Sequence, residues 1–278
     1  MSCADAMSTG VYAMIRAARL VTYAAVLLTT GSAAAEPVLP IGMAGIRPFA
    51  QAITLLYRPV PSYQRTVTVA GAYTLPLLPG AFDLAGESRS RGSILRNGAD
   101  LLWDEAGSAS FTLGGQTQQQ AFEQRSIMTP AGQVKEFSLG AQRPTAPETA
   151  ILLAIMDAFR PRNPIRQGQE VWNTRDLPKA IARHSQDVLV KRNTLTFKAL
   201  GLAKVAGSDY LVVESRGGLE TDIARVGPVN FLLPGQCLVD LVTGLCTECD
   251  LKVAVRHATN PKGLSANLRL RSTTTIAP

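Results

Sequence analysis

The chain has 278 residues, a formal net charge of +7 and a hydrophobic fraction of 46%. With only 18% charged residues, this composition excludes extended disorder and favours a folded globular protein. The modest positive charge is not accompanied by interleaved aromatic and basic residues, so the sequence predicts no nucleic-acid partner.

Residues 1–35 have the order of a secretory signal peptide. Arg16 and Arg19 precede a short apolar run at residues 20–28, and a small-x-small site ends at Ala35. The apolar run is well short of the roughly 20 residues that span a bilayer. We therefore expect Sec-type export to the periplasm or beyond, cleavage after Ala35 and no permanent membrane span. The start codon stays open between Met1, Met7 and Met14.

The first half, residues 36–139, is predicted to be β-rich after an irregular arm at 36–48. Short segments of alternating pattern recur about every 10 to 12 residues, which is typical of an antiparallel sheet. The turn residues Asn97-Gly98 and Gly114-Gly115 separate some of these segments. The predicted strands are 66–69, 72–75, 99–104, 108–113, 120–128 and 133–139.

A proline-containing linker is predicted at 140–149, followed by a helix over 149–159 (TAILLAIMDAF). This segment is apolar on nearly every side, so we expect it to be buried, inside a curved sheet or at the end of a barrel. Its side chains Ile151, Ile155 and Phe159 are candidates to line a pocket.

The second half, residues 150–278, returns to strand patterns. The predicted strands are 169–174, 194–205, 210–215, 229–233, a hairpin around Thr243-Gly244, and 267–274. The fold class is therefore mainly β, with antiparallel curved sheets in a half-barrel, barrel or sandwich, and one buried helix.

Three cysteines remain after signal cleavage, namely Cys237, Cys246 and Cys249. A hairpin with a three-residue turn at 242–244 would place Cys237 opposite Cys249, about 4.5 Å apart at Cα, and so favours a structural disulfide. Cys246 is the alternative partner, although Cys246 and Cys249 face opposite ways on a regular strand. The other interpretations are a zinc site completed by His257, and a redox-active C-x-x-C.

No catalytic, cofactor-binding or metal-binding residue can be assigned from motifs. The chain has two histidines and lacks H-E-x-x-H, G-x-S-x-G and glycine-rich phosphate loops. Asp104-Glu105 is interpreted as a solvated turn whose two side chains face opposite ways. No cofactor is expected.

Two further groups are candidates for ligand contacts. Arg160, Arg162 and Arg166 surround prolines and are suited to anionic headgroups, with a solvated surface as the alternative. Trp103 and Trp172 occupy strand-like positions, where large aromatics either build the core or line a pocket.

A resemblance covers part of the second half. The runs 164–172, 210–215 and 239–245 occur in the order of uncharacterised bacterial secreted or periplasmic envelope proteins, in which "P-[VI]-x-x-G-x-x-W" leads into a β-sheet domain closed by a "D-L-x-T-G" hairpin. In this chain the spacing from Gly168 to Trp172 is one residue longer than in that pattern. The chain resembles this family. The resemblance implies a curved antiparallel sheet similar to lipoprotein-carrier half-barrels, and it transfers no catalytic residues.

The leading hypothesis is an exported, non-enzymatic protein that binds or carries a hydrophobic ligand such as a lipid. The alternative is an envelope assembly factor that recruits a protein partner through an edge strand, with Asn267–Thr274 as the candidate. A third hypothesis is a hydrolase whose acid and base residues meet only in three dimensions.

Overall fold

The computed structural model describes residues 38–74, 80–113, 115–140, 160–184, 188–224, 227–260 and 263–277. The predicted signal peptide, the predicted helix at 149–159 and all of the predicted linker except Gly140 lie outside these residues. The division of the chain at 140–149 therefore stays a prediction.

The described chain is mainly β, as the sequence predicts. Its strands are β1 (Val60–Thr74), β2 (Phe82–Asn97), β3 (Asp100–Leu113), β4 (Gln116–Met128), β5 (Val134–Leu139), β6 (Val188–Asn193), β7 (Thr196–Val205), β8 (Ser208–Arg216), β9 (Gly218–Ile223), β10 (Gly227–Leu232), β11 (Gly235–Asp240), β12 (Cys246–His257) and β13 (Ser265–Ile276). One short helix, α1 (Leu177–His184), and two 3-10 turns, Met43–Gly45 and Thr174–Asp176, complete the regular structure of the described part. No helix found there has the length and apolar character to cross a membrane.

All strands belong to one antiparallel sheet that does not close into a barrel. Its order is β5-β4-β3-β2-β1-β13-β12, and β12 then pairs with both β10 and β11. The prediction that Asn267–Thr274 is an edge strand is wrong, because β13 pairs with β1 on one side and with β12 on the other. Its backbone groups are already in the sheet and cannot recruit a partner strand.

Beyond β12 the sheet turns a corner, because three successive chain segments each change direction in their middle. β6 continues into β7, β8 into β9 and β10 into β11. The first strand of each segment pairs with the second strand of its neighbour, so that β6 lies beside β9, β7 beside β8, β10 beside β9 and β11 beside β8. The corner requires glycine at Gly217, which has φ +77 and whose Cβ would lie 2.1 Å from the Thr194 carbonyl oxygen. Thr194 and Leu233 accordingly hydrogen-bond across the corner, to Gly218 and Gly217.

β1 to β5 are joined in sequence without such corners. The predicted pairs 66–69 with 72–75, and 99–104 with 108–113, are each part of one longer strand. The predicted turn at Asn97-Gly98 is confirmed, because Asn97 pairs with Asp100. β2 was not predicted from the sequence. Its GESRSRGS stretch has a weak strand pattern, and pairing with β1 and β3 on both sides makes it a strand.

Burial alternates along β1, so that one face of this sheet carries Tyr63, Arg65, Val67 and Val69. We call it the inner face, and its opposite the outer face. The largest apolar cluster extends from this face to the bent strands. The predicted strand at 169–174 is wrong: this segment makes isolated bridges and enters a 3-10 turn at Thr174.

The described part of the predicted arm, residues 38–48, is irregular apart from one 3-10 turn and one bridge, and it packs on the bent half of the sheet. Leu39, Ile41 and Ile46 cover Val212 and Leu238 on the side opposite the main core. Leu39 N–H also donates to the Glu248 carboxylate at 2.8 Å. The arm therefore closes a second layer over β8 and β11.

Candidate functional site

A buried ion pair lies on the inner face, between β1 and β3. Arg65 Nη1 is 3.0 Å from Glu105 Oε1, and the two side chains are 1% and 0% exposed. Strand alternation places Arg65 on the same face as Val67, and Glu105 on the same face as Trp103. The pair is therefore fixed by the register of the four strands β1 to β4.

Glu105 is held by hydrogen bonds on both oxygens. Ser90 Oγ donates to Oε1 at 2.5 Å, while Tyr63 Oη and Gln124 Nε2 donate to Oε2 at 2.8 and 2.9 Å. Trp103 Nε1 in turn donates to Tyr63 Oη at 2.5 Å. Together with Arg65 these contacts satisfy the carboxylate and leave it no exposed face for acid–base work on a substrate.

The Tyr63 phenol is kept protonated by its surroundings. Burial raises its pKa well above the usual value, and the Glu105 charge raises it further. Room for the phenol comes from Gly92, where a Cβ would lie 2.2 Å from Tyr63 Oη. The tyrosine is thus a fixed donor to the carboxylate.

The expectation of a solvated turn at Asp104-Glu105 is wrong. Both residues lie in the middle of β3, and only the prediction that they face opposite ways is correct. Asp104 makes an outer-face ion pair with Arg125 at 2.6 Å, whereas Glu105 is buried. The alternation of Leu101, Trp103 and Glu105 was the available signal, because it placed the carboxylate on an apolar face.

The predicted disulfide Cys237–Cys249 is present, and its two cysteines are paired in the register that was expected. The route to that register differs. Asp240 N–H bonds to the Leu245 carbonyl, so the loop is one residue longer than predicted, and a bulge in β12 compensates. A disulfide is compatible with a secreted protein.

The third cysteine lies beside this bond. Cys246 Sγ is 3.3 Å from Cys249 Sγ, and the three sulfurs lie within 4.8 Å of one another. His257 is not in this group of potential ligands. It lies at the far end of β12, where its Nδ1 accepts from Asn260 N–H at 3.1 Å. The described residues thus place three sulfurs together without the histidine proposed for zinc.

The two tryptophans lie in different clusters, and the segment that carries Arg160 and Arg162 runs beside Trp172, because Pro161 bridges Trp172 and Asn173 N–H donates to the Arg160 carbonyl. Arg162 pairs with Glu170 at 2.6 Å, and Arg166 is exposed. Trp103 packs in the cluster around Tyr63, and Trp172 belongs to the main core. The other candidate pocket residues, Ile151, Ile155 and Phe159, lie outside the described residues.

A cleft of about 610 Å³ opens on the outer face of β2 to β5. Side chains of Arg91, Asp104, Glu123 and Arg125 line it together with neighbouring backbone. It is polar and charged, so it differs from the apolar pocket that the sequence predicts.

The inner face offers apolar surface instead. Phe82, Phe111, Phe122 and Phe137 all lie on it by register, and all four are only partly buried. They were not identified from the sequence, because the signal lies in their shared face across four strands.

Comparisons with known proteins give weak similarities. No protein-family model and no curated protein matches the chain. Among solved structures, it is similar to DynF from the dynemicin biosynthesis pathway of Micromonospora chersina, at 10% identity and a TM-score of 0.22, covering 90% of this chain and 96% of that chain. It is also similar to a DUF1329 family protein from Desulfovibrio piger, at 6% identity and a TM-score of 0.16, covering 76% and 83%. At these TM-scores neither similarity bears on function.

Proposed function

We propose that this protein is exported and binds a hydrophobic ligand, such as a lipid acyl chain, on the inner face of its sheet without chemically changing it. The observation that carries the proposal is the set of four partly exposed phenylalanines on that face. Partly exposed aromatic rings gathered on one face are a recurrent feature of ligand and interaction sites, whereas single exposed apolar residues are ordinary.

Two of the four rings pack against side chains or backbone of the same face. Phe111 lies over Gly86, where a Cβ would be 2.6 Å from its ring, and Val69 is the next neighbour. Phe82 stacks on Tyr73 with ring centroids 5.5 Å apart. This arrangement provides flat apolar contacts along the sheet, which suit a chain-like ligand better than a compact polar one.

Features predicted from the sequence support the same proposal. The predicted signal peptide at 1–35 and the resemblance to bacterial envelope proteins favour a compartment where lipids are moved between membranes. The apolar segment 149–159 would add Ile151, Ile155 and Phe159 to the ligand contacts. The exposed Arg166 follows it and is suited to an anionic headgroup.

Native mass spectrometry of the protein purified from the periplasm of its own host tests the proposal directly. We expect extra native mass that is released on denaturation as a lipid-sized species. The denatured mass also reports cleavage after Ala35 and the two hydrogens lost to a disulfide. A native mass equal to that of the bare polypeptide contradicts the proposal if added lipid also fails to bind.

A binding assay with a fluorescent long-chain fatty acid locates the site. We expect Phe111→Ala to weaken binding about tenfold, or about 1.4 kcal/mol, through lost apolar contact. The matched control is Leu102→Ala, since Leu102 is on the same strand but the outer face and should leave affinity unchanged. Equal effects of the two variants would place the ligand elsewhere.

A further inference from the structure

The arrangement of the three cysteines is more specific than a structural disulfide needs. Cys237 and Cys249 are directly opposed in β11 and β12, and their bond is complete without a third sulfur. Cys246 nevertheless places its Sγ 3.3 Å from Cys249 Sγ, closer than two non-bonded sulfurs ordinarily approach.

A β-bulge produces this contact. Leu238 pairs with Glu248, but the next residue, Val239, pairs with Cys246, so Thr247 has no opposite residue. On a regular strand Cys246 and Cys249, three residues apart, would point to opposite faces. The extra residue turns Cys246 to the side of Cys249, because a bulge re-aims the side chains next to it.

We propose that the three cysteines form a thiol–disulfide exchange site, in which Cys246 attacks Cys249 and moves the disulfide from Cys237–Cys249 to Cys246–Cys249. The Cys246 thiolate forms the new bond to Cys249 Sγ. The old bond breaks, its electron pair leaves on Cys237 Sγ, and Cys237 takes up the proton that Cys246 gave up. The step is an isomerisation with no net oxidation, so it needs no external oxidant or reductant.

Exchange changes how an outside reactant reaches the bond. Cys237 and Cys249 are each 1% exposed, whereas Cys246 is partly exposed. The resting bond is therefore closed to solution, and the exchanged bond has one end at a residue that is partly exposed, although its thiol is still surrounded by protein. An external dithiol is the class of reactant that would reduce the protein in this way, by attacking the disulfide of the exchanged isomer.

The surroundings of Cys246 set the rate. Burial raises the pKa of its thiol to about 12, against the lowering effect of the Arg65 charge. The charged or titratable groups that face it are Arg65 from β1, Glu248 from β12 and Tyr57 from the segment just before β1. Only the thiolate attacks, so exchange is slow near neutral pH and accelerates about tenfold for each unit of pH below the thiol pKa.

The first measurement maps the disulfide in the wild-type protein. Samples are held at about pH 7 and about pH 9, and then acid-quenched, denatured and alkylated with a maleimide. The acid quench stops further exchange, because only the thiolate attacks a disulfide. Digestion after Glu248 separates Cys246 from Cys249, and peptide fragmentation then distinguishes Cys246 from Cys237. We expect the label on Cys246 at first, and on Cys237 in a fraction that grows faster at the higher pH.

The second measurement is the rate at which dithiothreitol reduces the folded protein. We expect Cys246→Ser to be reduced at least about tenfold more slowly than the wild type, because it lacks the exchanged isomer. Cys246→Ala serves as the second variant, and circular dichroism confirms that each is folded. Equal reduction rates in wild type and variants, or a label confined to Cys246 after long incubation at high pH, overturn the proposal.

Discussion

The two tryptophans are both buried in the sheet, but the residues that surround them differ in polarity. Trp103 sits beside a buried charge pair: its Nε1 donates to Tyr63, and the Arg65 guanidinium is 5.9 Å from its ring. Trp172 packs edge-on against Phe197, with ring centroids 5.0 Å apart, in a cluster of aliphatic side chains. A tryptophan in a strand-like segment therefore indicates that its surroundings are buried. Whether those surroundings are polar or apolar depends on the residues of the neighbouring strands.

The strands around the two residues differ in the same way. β1 to β4 run without corners and are linked across their inner face by the Glu105 network. The strands beyond β12 bend at one line and enclose apolar side chains. The interior of the first region holds a buried charge pair with its hydrogen bonds, and the interior of the second holds mainly apolar side chains.

We expect the largest loss of stability from a substitution in the polar region formed by β1 to β4. Glu105→Ala leaves Arg65 buried without its carboxylate, which costs about 3–5 kcal/mol of unfolding free energy. Urea denaturation measures it. The matched control is Asp104→Ala, because the Asp104–Arg125 pair is largely exposed and should contribute no more than about 1 kcal/mol.

A double variant sharpens this test. Arg65→Met combined with Glu105→Leu removes both charges, so it should lose less stability than Glu105→Ala alone. A double variant that is less stable than the single one would mean that the hydrogen bonds around the pair, and not its charge, hold the four strands.

We expect the next largest loss of stability from a substitution at the corner of the bent strands. Gly217→Ala forces a Cβ against the Thr194 carbonyl at a residue with φ +77, and we expect a loss of about 2–3 kcal/mol in urea denaturation. Gly207→Ala is the control: its φ is +89, but a Cβ there meets nothing within 4 Å. It should cost about 1 kcal/mol, from conformation alone. Equal losses would show that the corner is not tightly packed.

The smallest effect concerns the junction of the two regions. Burial raises the pKa of Asp250, but Arg269 and Arg271 lower it more, so the net pKa lies below its usual value. A carboxylate with a lowered folded-state pKa stabilises the protein above about pH 4, and this contribution disappears as pH falls through the folded-state pKa.

Asp250→Asn should therefore be less stable by about 1 kcal/mol or less at neutral pH, since the arginines are partly exposed. Urea denaturation as a function of pH measures the difference, which should vanish in acid. A difference that stays constant down to low pH would assign the effect to packing.

The sequence predicted features that depend on nearby residues, such as turns and hairpins, better than it predicted which strands lie side by side in the sheet. The Cys237–Cys249 pairing followed from hairpin geometry, because two errors of one residue, in the loop and at the bulge, cancelled. The position of β13 could not be predicted, because alternation of buried and exposed residues is the same in a central strand and in an edge strand. The burial of Glu105 depended on Arg65, which is 40 residues away in the chain, and no local pattern connects them.

The central position of β13 also determines when the sheet can be completed. β1 and β13 are neighbours in the sheet but come from opposite ends of the described chain, and Tyr63 pairs with Ile276. Such distant pairing is slow to form, because the intervening loop must close first. During synthesis, β1 and β12 would each keep one open edge until the last strand arrives. The two regions can therefore assemble separately, and these two edges stay available for pairing with other chains until β13 fills the gap.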